Sequence, residues 1–394
     1  MASKPPSPCS PPRKRASLVA PDEANDGDIL PTDELQEVLL RLPSKSLGRL
    51  RTVCQSWRHM LSDPLFVAAH ASRSHADSIL VVTAHNPDRE LADVNLVDVS
   101  TGAVLKRMYG LARPGLCVGG ELLCFVGSRG GVIQVIDPAT EARTDVRGTT
   151  TAPHDHARCT ASFYLVGHVP ATGEHKVLHV SDVCGEQSCE VFSVDAGRRE
   201  RYRRWRPTQS PPPMRVDSTA RRRAVVNGVA YFLPFHNQAL RHYDIVATFD
   251  LEREEWKPAP IRGPVCSSSK QSGYLMQFSL TELDGRLVMV HQNYQGSTMD
   301  LYSLTDSEKG EWSRTSLRLD WVVDQRYEAL GQPLAVLDDG RIVLFVRGTK
   351  RGVVRVYDPR TETRMEVMKM HRDCTVVGLY RGSLLSFGAT CMKQ

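Results

Sequence analysis

The feature that most constrains the fold is a tight-turn dipeptide that recurs along the chain. It occurs as Gly119-Gly120, Asn227-Gly228, Asp284-Gly285 and Asp339-Gly340, each between two apolar, strand-like runs. Asn-Gly and Asp-Gly suit two-residue β-hairpins because both turn residues can adopt positive φ. About 20 residues after each dipeptide, a further strand ends in an acidic or polar turn. The chain therefore contains a repeated antiparallel unit.

The spacing of these units indicates the kind of repeat. The acidic or polar turns that end each unit lie near residues 137, 250, 302 and 358. A divergent unit between Phe163 and Gly197 fills the longest gap between them. A period near 50 residues, without helical periodicity, is typical of a β-propeller of the kelch kind and argues against a helical solenoid. The strand-like runs include Ile79–Thr83, Val94–Val99, Leu122–Val126, Val132–Ile136, Lys176–Val180, Val225–Leu233, Leu287–His291, Ile342–Val346, Val353–Tyr357 and Thr375–Leu379.

The two ends of this β region look like complementary halves of one repeat. Residues 375–387 contain a strand, an Arg381-Gly382 turn and a second strand, which make a first half. Residues 78–108 make a second half. Pairing the halves in one blade would close the ring and remove two exposed sheet edges. We therefore predict six blades, five of them continuous and one composite.

Residues 28–66 follow a helical pattern and predict three short helices. Thr32 is a suitable N-cap, and Asp33 and Glu34 follow in the first turn, where the helix dipole favours acidic residues. Pro43 ends this helix, and Asp63-Pro64 supplies an N-cap and first residue for the third. Two apolar stripes at helical spacing are Leu35, Val38, Leu39 and Leu42, then Leu47, Leu50, Cys54, Trp57 and Leu61.

This helical segment resembles an F-box. The matching elements, in register, are Leu30-Pro31, Leu42-Pro43, Leu47 and Leu50, Val53-Cys54 with Trp57, and Asp63-Pro64 with Phe66. The resemblance implies binding to a Skp-type adaptor, and through it to the cullin and RING subunits of a ubiquitin ligase. The adaptor-binding residues that it implies are Leu30, Pro31, Leu35, Val38, Leu39, Leu42, Pro43, Leu47, Leu50, Val53, Cys54 and Trp57.

The β region resembles the F-box-associated domain of plant F-box proteins. Gly167, Pro170, Thr172, Lys176 and Val177 match its Gly, Pro, Thr and Lys-Val spacing. The expected class is thus an α+β multidomain protein with an all-β propeller-like domain. Its predicted parts are a disordered tail (1–27), an F-box module (28–70), a linker (71–77) and an F-box-associated propeller (78–394).

The net charge of +5 is concentrated in two arginine clusters, at 198–206 and 221–223. They flank a proline-rich loop at 209–214 that is expected to lie at one rim of the propeller. A solvated edge, an acidic or phosphorylated protein partner and, least favoured, nucleic acid all remain open for these arginines. The candidate target-binding residues are Arg203, Arg204, Arg206, Arg221, Arg222 and Arg223.

The sequence carries no motif of catalytic chemistry. It has no P-loop, dinucleotide fingerprint, nucleophile elbow or kinase signature. His154, His156 and Cys159 lack a fourth zinc ligand, and Cys184 and Cys189 are interpreted as free thiols. Glu254 and Glu255 read as a solvated strand turn, and Trp205, Trp256 and Trp312 as packing between blades. We therefore expect no metal, no cofactor and no enzymatic activity.

The chain also lacks a membrane-spanning apolar run and a secretory signal, so we expect a protein of the cytoplasm, the nucleus or both. A short basic patch at 13–15 is either a nuclear-import signal or a solvated tail. The predicted function is that of a substrate-recognition subunit of an SCF-type cullin–RING ubiquitin ligase. The alternatives are a non-degradative interaction scaffold and, less favoured, a propeller enzyme with a small-molecule pocket.

Overall fold

Short helices precede the β region. In a computed structural model, the described residues are 31–42, 46–47, 50–73, 79–85, 91–99, 101–112, 114–119, 122–127, 132–138, 143–147, 159–194, 204–235, 245–264, 278–293, 298–318, 328–337, 339–348, 352–370 and 374–380. The chain divides between Leu39 and Leu40 into two compact units. The first contributes helix α1 (Thr32–Leu39), and the second contains α2 (Gln55–Ser62), α3 (Pro64–Arg73) and all the strands.

Side chains set where the last two helices begin. The predicted second helix is not continuous, because residues 51–53 form a turn and Cys54 is extended, with φ −153° and ψ 168°. Cys54 is the N-cap of α2, and its Sγ accepts a hydrogen bond from the Trp57 amide at 3.4 Å. Asp63 caps α3 as the sequence predicts, since its Oδ1 accepts from the Leu65 amide at 2.7 Å.

The described strands form six antiparallel sheets, which are the six blades of a β-propeller. Blades 1 to 3 are built from β1 (Ile79–His85), β2 (Leu91–Asp98), β3 (Val104–Ala112), β4 (Pro114–Gly119), β5 (Leu122–Gly127), β6 (Val132–Ile136), β7 (Arg143–Arg147), β8 (Cys159–Val169), β9 (Glu174–Val183), β10 (Glu186–Ser193) and β11 (Arg206–Pro207). Blade 1 also includes the last strand of the chain, and blades 2 and 3 are β4–β7 and β8–β11.

Blades 4 to 6 follow in chain order. Their strands, and the last strand, are β12 (Arg223–Val226), β13 (Val229–Phe232), β14 (Ile245–Asp250), β15 (Glu255–Trp256), β16 (Ile261–Arg262), β17 (Phe278–Leu283), β18 (Arg286–Asn293), β19 (Thr298–Asp306), β20 (Glu311–Arg318), β21 (Glu328–Val336), β22 (Ile342–Gly348), β23 (Gly352–Asp358), β24 (Thr363–Met370) and β25 (Cys374–Tyr380). In blade 4, β15 and β16 both pair with β14. Blade 5 is β17–β20, and blade 6 is β21–β24.

Blade 1 is composite, as predicted, with strand order β25-β1-β2-β3. The division is three strands and one strand rather than two and two, because β1 pairs directly with β25. The second C-terminal strand expected near 384–387 lies outside the described residues. The first strands of neighbouring blades contact one another around the whole ring, from β25 through β4, β8, β12, β17 and β21 back to β25.

An apolar cluster fills each interface between neighbouring blades. Tyr380 and Phe125 belong to the cluster between blades 1 and 2, and Leu80 and Phe345 to the cluster between blades 6 and 1. The predicted packing of tryptophans between blades is also observed. Trp205 packs between blades 2 and 3, and Trp256 between blades 3 and 4. Trp312 lies against the cluster of blades 4 and 5.

Antiparallel strands place alternate connections on opposite faces of the ring. We call the face that carries the connections between blades, and those between second and third strands, the upper face. The lower face carries the remaining turns, including Asn227-Gly228, where φ is +49° and +78°. The turn predicted near Tyr302 follows Asp306 instead, since Tyr302 lies inside β19. The chain enters β1 from the lower face.

Histidine–carboxylate pairs are buried inside two blades. In blade 5, His291 stacks on Phe278 with ring centroids 4.6 Å apart, and its Nδ1 lies 3.6 Å from Asp300 Oδ2. In blade 3, His179 stacks on Tyr164 and its Nδ1 lies 3.7 Å from Glu190 Oε2. In both blades the aromatic ring, the histidine and the carboxylate lie opposite one another on the first, second and third strands. The arrangement is therefore a repeated polar element of the propeller.

Candidate partner-binding surfaces

Three large aliphatic side chains are exposed to water among the described residues of the helical segment. The exposed fraction is 49% for Val38, 63% for Val53 and 80% for Leu65. Leu47 and Leu61, in contrast, are fully buried. Covering such exposed side chains with a partner removes apolar surface from water, so these positions are suited to protein docking.

The side chains predicted to bind the adaptor differ in exposure. Pro31, Val38, Val53 and Cys54 are exposed; Leu35, Leu42, Leu50 and Trp57 are partly buried; Leu39 and Leu47 are buried; Leu30 and Pro43 lie outside the described residues. Only the exposed and partly buried members are available to a partner without rearrangement. Leu65 was not predicted, although its position after Asp63-Pro64 at the start of α3 favours exposure.

Two polar side chains hold the segment around α2 and α3. Arg51 donates from Nε and Nη2 to the carbonyl oxygen of Leu61, at 3.2 and 2.6 Å. Burial lowers the pKa of Arg51. The His70 ring stacks on Phe66, and its Nε2 lies 2.8 Å from the carbonyl oxygen of Leu42. These contacts fix the backbone that carries Val53 and Leu65.

The first arginine cluster contributes to an ion-pair network on the lower face. Arg206 donates from Nε and Nη2 to the Glu254 carboxylate at 3.1 and 2.5 Å, and also to Ser193 Oγ at 2.9 Å. Lys176 Nζ lies 2.9 Å from Glu254 and donates to the Glu252 carbonyl oxygen at 3.1 Å. Glu254 is therefore a bridge between blades 3 and 4, and not part of a solvated turn as predicted.

The second cluster is also engaged within the chain. Arg222 is buried, with its Nε 3.4 Å from Asp217 Oδ2. Arg223 bonds the Ser218 carbonyl oxygen and lies over the Phe163 ring at 4.4 Å. Arg221 is partly buried. In the first cluster, Arg204 is exposed, whereas Arg203 lies outside the described residues.

Arg206 of the first cluster and Arg222 of the second do not share a rim, contrary to expectation. Arg206 begins the last strand of blade 3 at the lower face, whereas Arg222 lies in the connection to blade 4 at the upper face. Between these two arginines, the short strand β11 and the loop after it take the chain from the lower face to the upper face. The alternation of side chains along a strand does not reveal that these two arginines lie at opposite faces of the propeller.

The cysteines show no metal site in the part of the chain that the structure describes. Cys184 is exposed, whereas burial raises the pKa of Cys189 to about 12. The side chain of Cys159 and both histidines of the 154–159 motif lie outside the described side chains. None of the described helices is both long and apolar enough to cross a bilayer.

Family models match both parts of the chain. A model described as F-box domain matches residues 28–68, and one described as F-box associated beta propeller domain matches residues 116–376. The second match covers well over half of the chain, including the five continuous blades. Both resemblances noted in the sequence are therefore confirmed.

Several proteins of Arabidopsis thaliana are similar to this chain over most of its length. An F-box/LRR-repeat protein is 26% identical over 87% of this chain and 80% of its own. An F-box/kelch-repeat protein is 25% identical over 72% of this chain and 78% of its own. A putative F-box protein is 23% identical over 92% of this chain and 90% of its own.

These matches agree with the short N-terminal helices and the six blades. The chain belongs to the family of F-box proteins that carry an F-box-associated β-propeller domain.

Proposed function

We propose that this protein is the substrate-recognition subunit of an SCF-type cullin–RING E3 ubiquitin ligase. The F-box module binds a Skp-type adaptor, which joins it to cullin and RING subunits. The propeller binds the target protein. The observation that carries the proposal is the pair of family matches, which puts an F-box and a propeller in one chain.

The exposed aliphatic side chains support the adaptor role. Val38, Val53 and Leu65 stay in water although neighbouring leucines are buried. Fully burying one aliphatic side chain of this size contributes about 1.5–3 kcal/mol. Val53 and Leu65 lie in the same compact unit, and two such side chains can serve among the few dominant residues that anchor an interface.

The lengths of the connections support the target role of the upper face. The described segment 208–222 joins blades 3 and 4 at that face, whereas the hairpin turns 227–228 and 284–285 join the first and second strands of blades 4 and 5 at the lower face. Long connections on a rigid scaffold are where proteins place binding residues. The target would therefore bind on the face away from the point where the chain enters β1.

Such a receptor acts by proximity and not by chemistry of its own. It holds a target lysine near the ubiquitin-charged enzyme, which raises the effective concentration of that lysine. The isopeptide bond forms on the other ligase subunits, so this chain needs no catalytic residue, cofactor or metal. Its place of action is the cytoplasm, the nucleus or both.

Reconstitution with adaptor, cullin and RING subunits tests the proposal. Val53→Asp and Leu65→Asp should each weaken adaptor capture by about tenfold or more, because a charge replaces an apolar contact. Met365→Asp is the control, since Met365 is 51% exposed and lies on β24, outside the helical segment. Wild-type protein that fails to capture the adaptor would refute the proposal.

A second measurement separates a ligase receptor from the alternatives. Proteins captured by the propeller should accumulate in cells when cullin is inhibited, and lose ubiquitin when Val53→Asp replaces wild type. Captured proteins whose ubiquitination and abundance do not change under either treatment would indicate a scaffold instead. Turnover of a small molecule by the isolated full chain would favour the enzyme.

A further inference from the structure

The upper face between blades 3 and 4 carries an arginine that the sequence analysis did not single out. Arg215 follows the proline-rich segment in the connection from β11 to β12. This connection is fixed to blade 4 by backbone bonds. The Phe235 amide donates to the Arg215 carbonyl oxygen at 2.7 Å, and the Asp217 amide donates to the Leu233 carbonyl oxygen at 3.0 Å. Between these bonds, Val216 and Pro234 form an isolated antiparallel β-bridge.

The Arg215 side chain is held from two sides. Its Nε donates to Asp182 Oδ2 at 2.8 Å, and its guanidinium carbon lies 4.0 Å from the centroid of the Phe235 ring. Asp182 is itself fixed, because its Oδ1 accepts from the Gly185 amide at 2.9 Å and its Oδ2 accepts from Gln187 at 3.3 Å. The guanidinium is therefore oriented before any partner arrives.

This contact leaves donors of Arg215 available. The side chain is 39% exposed, and Asp182 engages only Nε. Among the described residues, neither Nη1 nor Nη2 of Arg215 has a hydrogen-bond partner. Phe235, which supports the guanidinium, is 41% exposed. By contrast, Arg206, Arg222 and Arg223 make the contacts within the chain described above.

We propose that Arg215 and Phe235 form the centre of the target-binding surface, and that they bind a carboxylate side chain within an acidic, apolar-containing segment of the target. The inference rests on the proposed function, which it deepens by naming the chemistry of the target. The two terminal nitrogens of a guanidinium match the two oxygens of one carboxylate. The exposed Phe235 face takes a neighbouring apolar side chain of the same segment.

Charge and pre-organisation favour this occupant. The connection at 208–222 contains three arginines and one aspartate, so it attracts negative charge. Asp182 already offsets part of the charge of Arg215, which suits a singly charged carboxylate better than a doubly charged phosphate. Because Asp182 and Phe235 hold the guanidinium in place, binding costs less side-chain ordering than at a free arginine.

The test uses the full chain and three blocked octapeptides in which leucine alternates with glutamate, with glutamine or with phosphoserine. The glutamate peptide should bind and shift the NMR resonance of the Arg215 Nε–H group. Arg215→Gln should weaken this binding by about tenfold. Arg253→Gln, which removes an exposed arginine from the lower face, should leave it unchanged.

Further variants and peptides keep the proposal falsifiable. Arg215→Gln leaves buried Asp182 without its cation, which can weaken the fold. Arg215→Lys keeps the positive charge beside Asp182 but lacks the two terminal nitrogens of the guanidinium. It should also lose most of the binding. Equal binding of the glutamine peptide, preference for the phosphoserine peptide, or equal loss in Arg253→Gln would each overturn the proposal. Adaptor capture measured on the same variants should stay at wild-type level, so failure of the ligase role is seen separately.

Discussion

Ile79 lies directly opposite Tyr380 in adjacent antiparallel strands, although the two residues stand near opposite ends of the propeller sequence. Tyr380 is 2% exposed and shares an apolar cluster with Ile79. This pairing is the closure of the ring. It replaces two open sheet edges by one continuous blade.

Removal of residues 374–394 should therefore unfold or aggregate the propeller. The deletion takes away β25 and leaves β1 with unpaired backbone groups at an apolar edge. Thermal unfolding followed by circular dichroism and size-exclusion chromatography measure the effect. A synthetic peptide of residues 374–394, added in excess, should restore part of the lost stability. A deletion variant that melts cooperatively within a few degrees of the intact protein would contradict ring closure by β25.

Glu254→Gln should lower the free energy of unfolding by about 1.5–3 kcal/mol, because Arg206 and Lys176 lose their shared carboxylate. Burial alone would raise the pKa of Glu254, but its bonds with Arg206 and Lys176 outweigh burial and lower it. The ion pairs therefore stabilise the fold above the carboxyl's unfolded pKa, and this contribution is lost as pH falls through the folded value.

Urea unfolding at neutral and acidic pH measures both effects. The control is Glu255→Gln, at the neighbouring position, where the carboxylate is half exposed and lies 3.7 Å from Arg253. It should change stability by less than about 0.5 kcal/mol. Equal losses for the two variants would argue against the bridge.

His291 should make the propeller less stable in mild acid. Burial lowers the pKa of His291, outweighing the nearby Asp300, while Arg314 acts in the same direction as burial. The unfolded chain then binds a proton near pH 6.5 that the folded chain does not, so stability falls as pH drops below that value.

His291→Gln should reduce the stability difference between pH 7.5 and pH 5.5, measured by urea unfolding. His168→Gln replaces an exposed histidine on β8 and should leave that difference as in wild type. If His291→Gln retains the full wild-type difference, the buried ring is not its source.

Gly167→Ala should destabilise the contact between blades 3 and 4 by about 1–3 kcal/mol. A Cβ at this position would lie 2.3 Å from Leu251 Cδ1 and 2.8 Å from Val225 Cγ1. Leu251 is 1% exposed, so it has little room to move away. In the double variant Gly167→Ala with Leu251→Ala, the glycine substitution should cost less than it does alone. Additive losses in this double-mutant cycle would show that the close approach is not the cause.

The local parts of the fold were predictable from the sequence. Turn chemistry at Asn227-Gly228 and Asp284-Gly285 marks hairpins because the backbone there needs positive φ, which both turns adopt. Asp63 likewise marks the start of α3 through its short acceptor side chain. Such signals depend on a few neighbouring residues, so the sequence carries them in full.

Contacts between distant segments were not predictable. Arg206 and Glu254 meet only because β11 and the turn after β14 face each other across two blades. Arg215 looks like any other loop arginine until Asp182 and Phe235 are placed beside it. The strand division of blade 1 was missed because the half-repeat pattern does not reveal that β1 pairs with β25.

The pairing of β1 with β25 also sets a time order on biosynthesis. A ribosome that adds about 5–20 residues per second needs roughly 15–60 s to proceed from β1 to β25. Throughout this interval β1 to β3 lack their inner neighbour β25, while the F-box has already been synthesised. Under the proposed function, a nascent chain can thus bind the adaptor before a closed propeller exists, and a truncated mRNA that ends before the codon for Cys374 yields an F-box joined to a propeller without β25.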